Sequence, residues 1–293
     1  MSSRASIVIP AHNEERRIRH LLQSLSDPSI VGLYDVYVVC NGCTDKTRQV
    51  AEEYAGITVV EIDGVGKHHA LNQGDLLAGD VFPRLYCDAD IQVSPSSIEA
   101  LIEALTTEEI QVAGPAVHYG VQDSVWAVKM YYRSLDSRLM ATWRVEHLVG
   151  RGLYGASRAA RQRFTTFPNM FADDLFFDSQ FERAEKMIVT ECVVTIWVPV
   201  NVRELIRGEV RVAEGNHEYR VSDVDYDALS EHAVRRRPHF ELRLKSRMLV
   251  LRSWGRQLRG IDVVPILVYL GISSASRLTL AVKKMRGRKI LWR

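Results

Sequence analysis

The chain has 293 residues, 46% hydrophobic and 25% charged, a globular composition that excludes a disordered chain, a collagen and a coiled-coil rod. Four cysteines are too few for a disulfide scaffold and point to a reducing compartment. The net charge of +2 is uneven: residues 234–293 hold sixteen Lys or Arg against Glu241 and Asp262, giving +14, and residues 1–233 give −12.

In chain order, residues 5–11 (Ala-Ser-Ile-Val-Ile-Pro-Ala) form a short apolar run of buried-strand type. Ile18, Leu21, Leu22 and Leu25 then recur at helical spacing, with Asn13 as the expected N-cap and Glu14 and Glu15 at the positive end. Residues 35–40 are again strand-like, and Thr44 is expected to cap a helix running to Tyr54. Residues 57–62 are a third strand, 67–78 a helix and 84–87 a fourth strand. Ser94 caps the next helix with Pro95 at its first position, and Ile98, Leu101, Ile102 and Leu105 make its stripe. Strand and helix alternating four times predict an α/β fold with a mostly parallel sheet and right-handed crossovers. Ligands in such sheets bind beyond the carboxyl ends of the strands. Polar, glycine-containing and acidic residues follow all four strands.

Asp88-Ala89-Asp90 follows the fourth strand directly. Residues two apart on an extended chain point the same way, and two such carboxylates repel unless a cation or proton lies between them. Hard oxygen ligands suit Mg2+ or Mn2+, which keep waters and bridge to phosphates.

Four segments now stand in order: Val-Ile-Pro-Ala-His-Asn-Glu (8–14), Val-Val-Cys-Asn-Gly-Cys-Thr-Asp (38–45), Gly-Lys-His-His-Ala-Leu-Asn (66–72) and Tyr-Cys-Asp-Ala-Asp (86–90). Together they resemble the family 2 glycosyltransferases, over roughly residues 5–200. The resemblance implies the GT-A fold and a nucleotide-diphosphate sugar donor. It assigns Pro10, Ala11, Glu14, Asn41, Lys67 and Asp88 to the nucleotide sugar, and Asp88 and Asp90 to Mn2+ or Mg2+. Asn41 is a departure, since the family has an acid in that stretch; an amide both donates and accepts. The Cys40-x-x-Cys43 spacing is open to a redox pair or, with Cys87 and Cys192, to zinc. The reading preferred is two small residues packed around a nucleotide-binding turn.

Further on, residues 110–119 read as a strand and 124–141 as an amphipathic helix with Trp126, Tyr131 and Tyr132. The glycine-rich, basic stretch 149–157 resembles the family's strand and loop beside the acceptor sugar. Asp173 and Asp174 open a helix, where adjacent acids are ordinarily capping and dipole residues. The resemblance makes Asp174 the catalytic base and Asp173 its neighbour. Residues 187–198 are β-rich, and helical patterns follow at 201–220, 225–255 and 262–286. No apolar stretch is expected to reach the roughly 20 residues that span a bilayer. The longest, 263–272, contains Pro265 and leads to a basic end suited to an anionic membrane surface.

The expected organisation is a GT-A catalytic domain over 1–200, with a nucleotide-sugar half 1–118 and an acceptor half 119–200, and a basic helical region over 201–293. The expected activity is metal-dependent, inverting sugar transfer to a glycan or lipid-linked acceptor, in polysaccharide or glycolipid synthesis. The Gln-x-x-Arg-Trp motif of the family's processive members is absent, so the resemblance implies one sugar added per encounter. A cytoplasmic place is expected, with a peripheral one on the inner face of the cell membrane left open. Two alternatives stand beside this. A sugar nucleotidyltransferase would carry a glycine-rich basic loop after the first strand, where this chain has Pro-Ala-His-Asn-Glu. A basic nucleic-acid- or membrane-binding protein would leave the ordered acidic motifs unexplained, and no nucleic-acid partner is expected.

Overall fold

The computed structural model describes residues 4–107, 109–136, 146–221 and 263–285. The helical pattern at 225–255, the Arg235-Arg236-Arg237 run, the end of the 124–141 helix and the basic end after 285 lie outside the described residues.

Eight strands among the described residues form one sheet: β1 (Ala5–Ala11), β2 (Tyr34–Asn41), β3 (Ile57–Ile62), β4 (Arg84–Cys87), β5 (Ile91–Val93), β6 (Val112–Gly120), β7 (Leu153–Ala156) and β8 (Lys186–Trp197). Their order is β3-β2-β1-β4-β7-β6-β8-β5. β3, β2, β1 and β4 run parallel, as do β6 and β8, while β7 and β5 run antiparallel to their neighbours. The chain winds from β1 through β2 to β3 on one side, then returns to place β4 on the other side of β1. That reversal opens a crevice beyond the carboxyl ends of β1 and β4.

The helices are α1 (Ile18–Leu25), α2 (Thr47–Glu52), α3 (Lys67–Ala78), α4 (Pro95–Ala104), α5 (Trp126–Leu135), α6 (Arg158–Arg161), α7 (Asp173–Ser179), α8 (Val202–Val221) and α9 (Val263–Met285). On α1 the stripe Ile18, Leu21, Leu22 and Leu25 is wholly buried against one sheet face. Each such side chain stabilises the fold by about 1.5–3 kcal/mol. Ser94 caps α4 as expected, accepting from the Ser97 amide at 3.2 Å. The other sheet face carries α3, α6 and α7 over an aromatic layer in which Tyr86, Tyr154, Phe164, Phe167 and Phe177 meet edge-on or tilted. A third cluster joins α5, α8 and α9, with Tyr131 stacked on Tyr269.

Inside the second layer Asp75 of α3 is buried and fully paired. It takes Arg84 Nη1 at 2.8 Å and the Tyr86 hydroxyl at 2.7 Å on one oxygen, and Arg161 at 2.7 and 2.9 Å on the other. A buried carboxylate is tolerated only with such pairing. It ties α3 to β4 and α6.

Three local expectations need correction. Asn13 does not cap α1: it lies at φ 55°, and its Oδ1 accepts from the Thr44 and Asp45 amides at 2.8 and 3.3 Å. Its short amide tolerates the left-handed region and spans to the next loop. Thr44 is thereby engaged and does not cap α2, which begins at Thr47, where Asp45 accepts from the Thr47 amide at 2.9 Å. Pro265 does not interrupt the last helix, because it lies in the first turn of α9, where a missing N–H goes unmissed. Residues 263–283 are therefore one helix long and apolar enough, by length and composition, to cross a membrane. One face packs on α5 and α8, and Val264, Leu267, Leu278 and Met285 are exposed.

Candidate active site

The loops after β1 and β2 are laced together beside the crevice. His12 Nδ1 donates to the Asn41 carbonyl at 2.7 Å, and the Glu14 amide donates to Thr47 Oγ1 at 2.7 Å. Asn41 is fully buried. Its Nδ2 donates to the Ala11 carbonyl at 3.0 Å, and its Oδ1 accepts from the Gly66 amide at 3.2 Å. The amide thus fixes the end of β1 to the start of α3.

Lys67 opens α3, and its Nζ reaches two acids from different parts of the chain: Asp88 Oδ1 at 2.7 Å and Asp173 Oδ2 at 3.1 Å. The Tyr154 hydroxyl donates to the same Asp173 oxygen at 3.0 Å. Burial disfavours the ammonium, but Asp173 and Asp88 outweigh it and hold Lys67 above its ordinary range. The Asp88 amide donates to the Gly152 carbonyl at 2.7 Å. Gly152 adopts φ 69°, and a Cβ there would meet Ile91 at 2.5 Å, so only glycine lets this strand end approach the acidic turn.

Asp174 faces the loop before β7. Its Oδ2 accepts from the Gly150 amide at 2.7 Å and its Oδ1 from the Leu175 amide at 2.8 Å. Burial, then the neighbouring Asp173 charge, pushes its carboxyl up to about 6. Burial also raises Asp173, against Lys67, which lowers it. One turn along α7, Asp178 accepts from the Leu148 amide and from Lys186 Nζ at 2.8 Å, and from His147 Nδ1 at 2.9 Å. Burial raises Asp178, but His147 and Lys186 outweigh it and keep the carboxyl below its usual range.

Seven of the predicted site residues line one cavity of about 460 Å³: Pro10, Glu14, Lys67, Asp88, Asp90, Asp173 and Asp174. Ala11 and Asn41 do not line it; they are buried behind its wall, and the Asn41 amide is engaged within the fold. The cavity also has walls that the pattern reading missed. His12 and Gly150 come from loops already singled out, where adjacency to chosen residues was the available signal. Arg151 is buried and bonded to the His147 and Pro115 carbonyls at 2.9 and 2.6 Å. Arg211, Val212, Gly215 and Asn216 come from α8, and nothing in their sequence marked them. Beside the acids, the lining includes the apolar Val117, Leu135, Phe171 and Val212 and the ring of Tyr119.

The residue types gathered here suit a divalent cation. Burial and then Asp88 raise Asp90, and burial and then Asp90 push Glu14 up to about 7, so negative charge stays crowded here although Lys67 lies on Asp88 and Arg17 Nη1 is 3.5 Å from Asp90 Oδ2. No group of three or more His, Cys, Asp or Glu ligands is gathered among the described residues. Two carboxylates with open positions suit Mg2+ or Mn2+, which complete their shells with water and phosphate oxygens.

Comparison with known proteins follows the same lines. The family model described as Glycosyl transferase family 2 matches residues 6–165. A 4,4'-diaponeurosporenoate glycosyltransferase of Staphylococcus aureus is 47% identical over 75 residues, which are 24% of this chain and 19% of that protein. The chain therefore spans about a fifth of the length of that relative. The mannosyltransferase PcManGT of Pyrobaculum calidifontis, solved with GDP-Man and Mn2+, superposes at a TM-score of 0.61 with 16% identity, over 99% of this chain and 89% of its own. TarS of S. aureus superposes at 0.50 with 15% identity, over 99% and 94%. At these identities the likeness to solved structures shows the shared fold.

Proposed function

The chain belongs to glycosyl transferase family 2, and we propose that it moves one sugar per encounter from a nucleotide-diphosphate sugar to an acceptor hydroxyl, with inversion and with a divalent metal. The observation that carries this reading is the Lys67 ammonium, which joins Asp88 on the donor side to Asp173 beside Asp174 in one cavity. In this reading Asp88 and Asp90 hold Mn2+ or Mg2+, and Pro10, Glu14 and Lys67 border the nucleotide sugar. The metal, when bound, offsets negative charge on the departing diphosphate.

Asp174 is the base. Its carboxyl, at about 6, is ionised at neutral pH yet basic enough to take a hydroxyl proton. The Gly150 and Leu175 amides hold it in one orientation. Asp173 is bound by Lys67 and Tyr154, so it serves as a fixed counter-charge rather than a second base. One base and a direct attack by the acceptor oxygen amount to a single displacement, which inverts the anomeric carbon.

In this reading the acceptor lies along the apolar lining, part of which α5 and α8 contribute through Leu135 and Val212. A glycolipid or lipid-linked acceptor is in keeping with that wall, with the exposed apolar face of α9 and with the diaponeurosporenoate glycosyltransferase among its relatives. The division proposed is a donor half 1–118 and an acceptor half 119–200, with the region 201–293 closing the cavity through α8 and resting on the inner face of the cell membrane.

Calorimetric titration of UDP, GDP and dTDP, each with and without Mn2+, tests the donor site. One nucleotide should bind the wild type only with Mn2+, and Asp90→Ala should abolish that binding. Failure of all three nucleotides under every condition defeats the reading.

A further inference from the structure

We propose that Cys40 and Cys43 are a redox-active dithiol that closes to an intramolecular disulfide in exchange with small disulfides of the glutathione class. Both thiols are free and both sit on one residue of the neighbouring strand. Cys40 is paired with Ala11 in the β1–β2 register. The chain then turns through Gly42, at φ 57°, and brings Cys43 back so that its Sγ donates to the Ala11 carbonyl at 3.5 Å. The left-handed bend at Gly42 thus brings the Cys40 and Cys43 side chains into hydrogen-bond contact.

The two sulfurs differ in the way exchange requires. Cys40 is fully buried, whereas Cys43 is half-buried and is the one a small disulfide meets first. A hydrogen bond from Cys40 is the main cause that draws the Cys43 thiol down to about 6, against burial, with further help from the Asn13 amide and His12. Of the two thiols Cys43 is thus the one more readily deprotonated to the attacking form, which gives up its S–H contact with the Ala11 carbonyl. Cys40 is itself held well above its usual range, first by its hydrogen bond to Cys43 and then by burial, so it is the resolving and not the attacking thiol. Cys87 and Cys192 are buried, and burial pushes Cys87 well above its usual range and Cys192 up to about 12.

The exchange balances in two steps. The Cys43 thiolate attacks one sulfur of the small disulfide, whose S–S bond breaks, and one small thiolate leaves and takes a proton from solvent. Cys40 then gives its proton to solvent and attacks Cys43 Sγ, and the second small thiolate leaves. Two protein thiols are oxidised by two electrons, and one small disulfide is reduced to two thiols. Closure removes the Cys43 S–H from the Ala11 carbonyl and tightens the turn that holds Asn41. Asn41 in turn holds Gly66, the residue before Lys67. The oxidised form should accordingly hold nucleotide less well, a consequence that rests on the donor-site reading, whereas the disulfide does not.

The test uses the full chain, equilibrated with oxidised and reduced glutathione, acid-quenched, alkylated in denaturant and peptide-mapped. The expected result is a peptide joining Cys40 and Cys43, lighter by two hydrogens, with Cys87 and Cys192 alkylated in full. Cys40→Ala should trap glutathione on Cys43, and Cys43→Ala should take up none at Cys40. The wild-type map stands without either variant, and circular dichroism shows whether each variant is folded. Full alkylation of Cys43 at excess oxidised glutathione overturns the proposal, as does equal oxidation of Cys87. In a second arm, the nucleotide that binds with Mn2+ is titrated into both redox forms. Weaker binding to the oxidised form supports the coupling, and equal binding overturns it. If no nucleotide binds either form, the donor-site reading fails while the peptide map still decides the dithiol.

Discussion

Asp174 and Asp178 stand one turn apart on α7 and grip the same loop from below, Asp174 through the Gly150 amide at 2.7 Å and Asp178 through the Leu148 amide at 2.8 Å. One helix face therefore sets both the proposed base and the loop that orients it. Asp178 also neutralises Lys186, which is only 7% exposed. Asp178→Ala leaves that ammonium buried without its partner and should cost about 3–5 kcal/mol of stability. Urea denaturation measures it, and a loss below 1 kcal/mol would mean that the loop is held by other contacts.

Asp174→Asn keeps an acceptor for the Gly150 amide and removes only the basicity. Transfer should fall by roughly 10²–10⁴-fold, with nucleotide binding unchanged. Single-turnover rates and calorimetry on the same preparation separate the two, and a variant that retains full rate would remove Asp174 from the chemistry.

The raised carboxyl of Asp174 sets two pH slopes. As a base it must be ionised, so kcat/KM should fall as pH drops through about 6 and be flat above it. Stability runs the other way. The unfolded carboxyl ionises from about 3.8 and the folded one only near 6, so this group's favourable contribution is complete below 3.8 and lost as pH rises through 6. Denaturation of wild type and Asp174→Asn across that window should show a steeper slope in the wild type, the slope left in the variant belonging to Glu14, Asp90 and Asp173.

Lys67→Met takes away the cation that lowers both Asp173 and Asp174. The acid limb of the rate profile should move to higher pH, and nucleotide binding should weaken. An unmoved limb would show that Lys67 does not act on the base.

Asp75→Ala leaves Arg84 and Arg161 buried and unpaired beneath the aromatic layer. It should destabilise the fold by about 3–5 kcal/mol, seen as a lowered Tm. Since Asp75 is on α3 away from the cavity, nucleotide binding by the folded fraction should be unaltered.

The strand–helix alternation of the first hundred residues was legible because burial imposes period two or 3.6 on the chain, and α3 and β4 begin and end where the pattern places them. The turns were less legible. Asn13 and Thr44 have capping chemistry, but each found a partner across the loop, thirty-one residues away, that local pattern does not reveal. The acids of the cavity were readable from their position after strands. The resemblance assigns Asn41 to the nucleotide sugar, and in the fold its amide holds two backbone groups; an amide in a polar turn looks the same in sequence whichever it faces. The α8 wall was invisible for a different reason: Arg211 and Asn216 enter the cavity only because α8 is carried over it, with Gly215 leaving 3.0 Å between a would-be Cβ and Phe171.

The Lys67 bridge bears on how freely such proteins can be recombined. Its ammonium and Asp88 come from the first 118 residues, and Asp173 from the segment after them. A chimera that grafts one half onto a foreign partner keeps the bridge only if the newcomer offers an acid at the position of Asp173. Without it, the Lys67 ammonium keeps Asp88 but loses its second acid, and the Tyr154 hydroxyl loses its acceptor. The proposed halves meet at other joints as well, Asp75 with Arg161 and β4 with β7, so a designer exchanging donor specificity would match these together with the Lys67 bridge before altering any residue that faces the cavity.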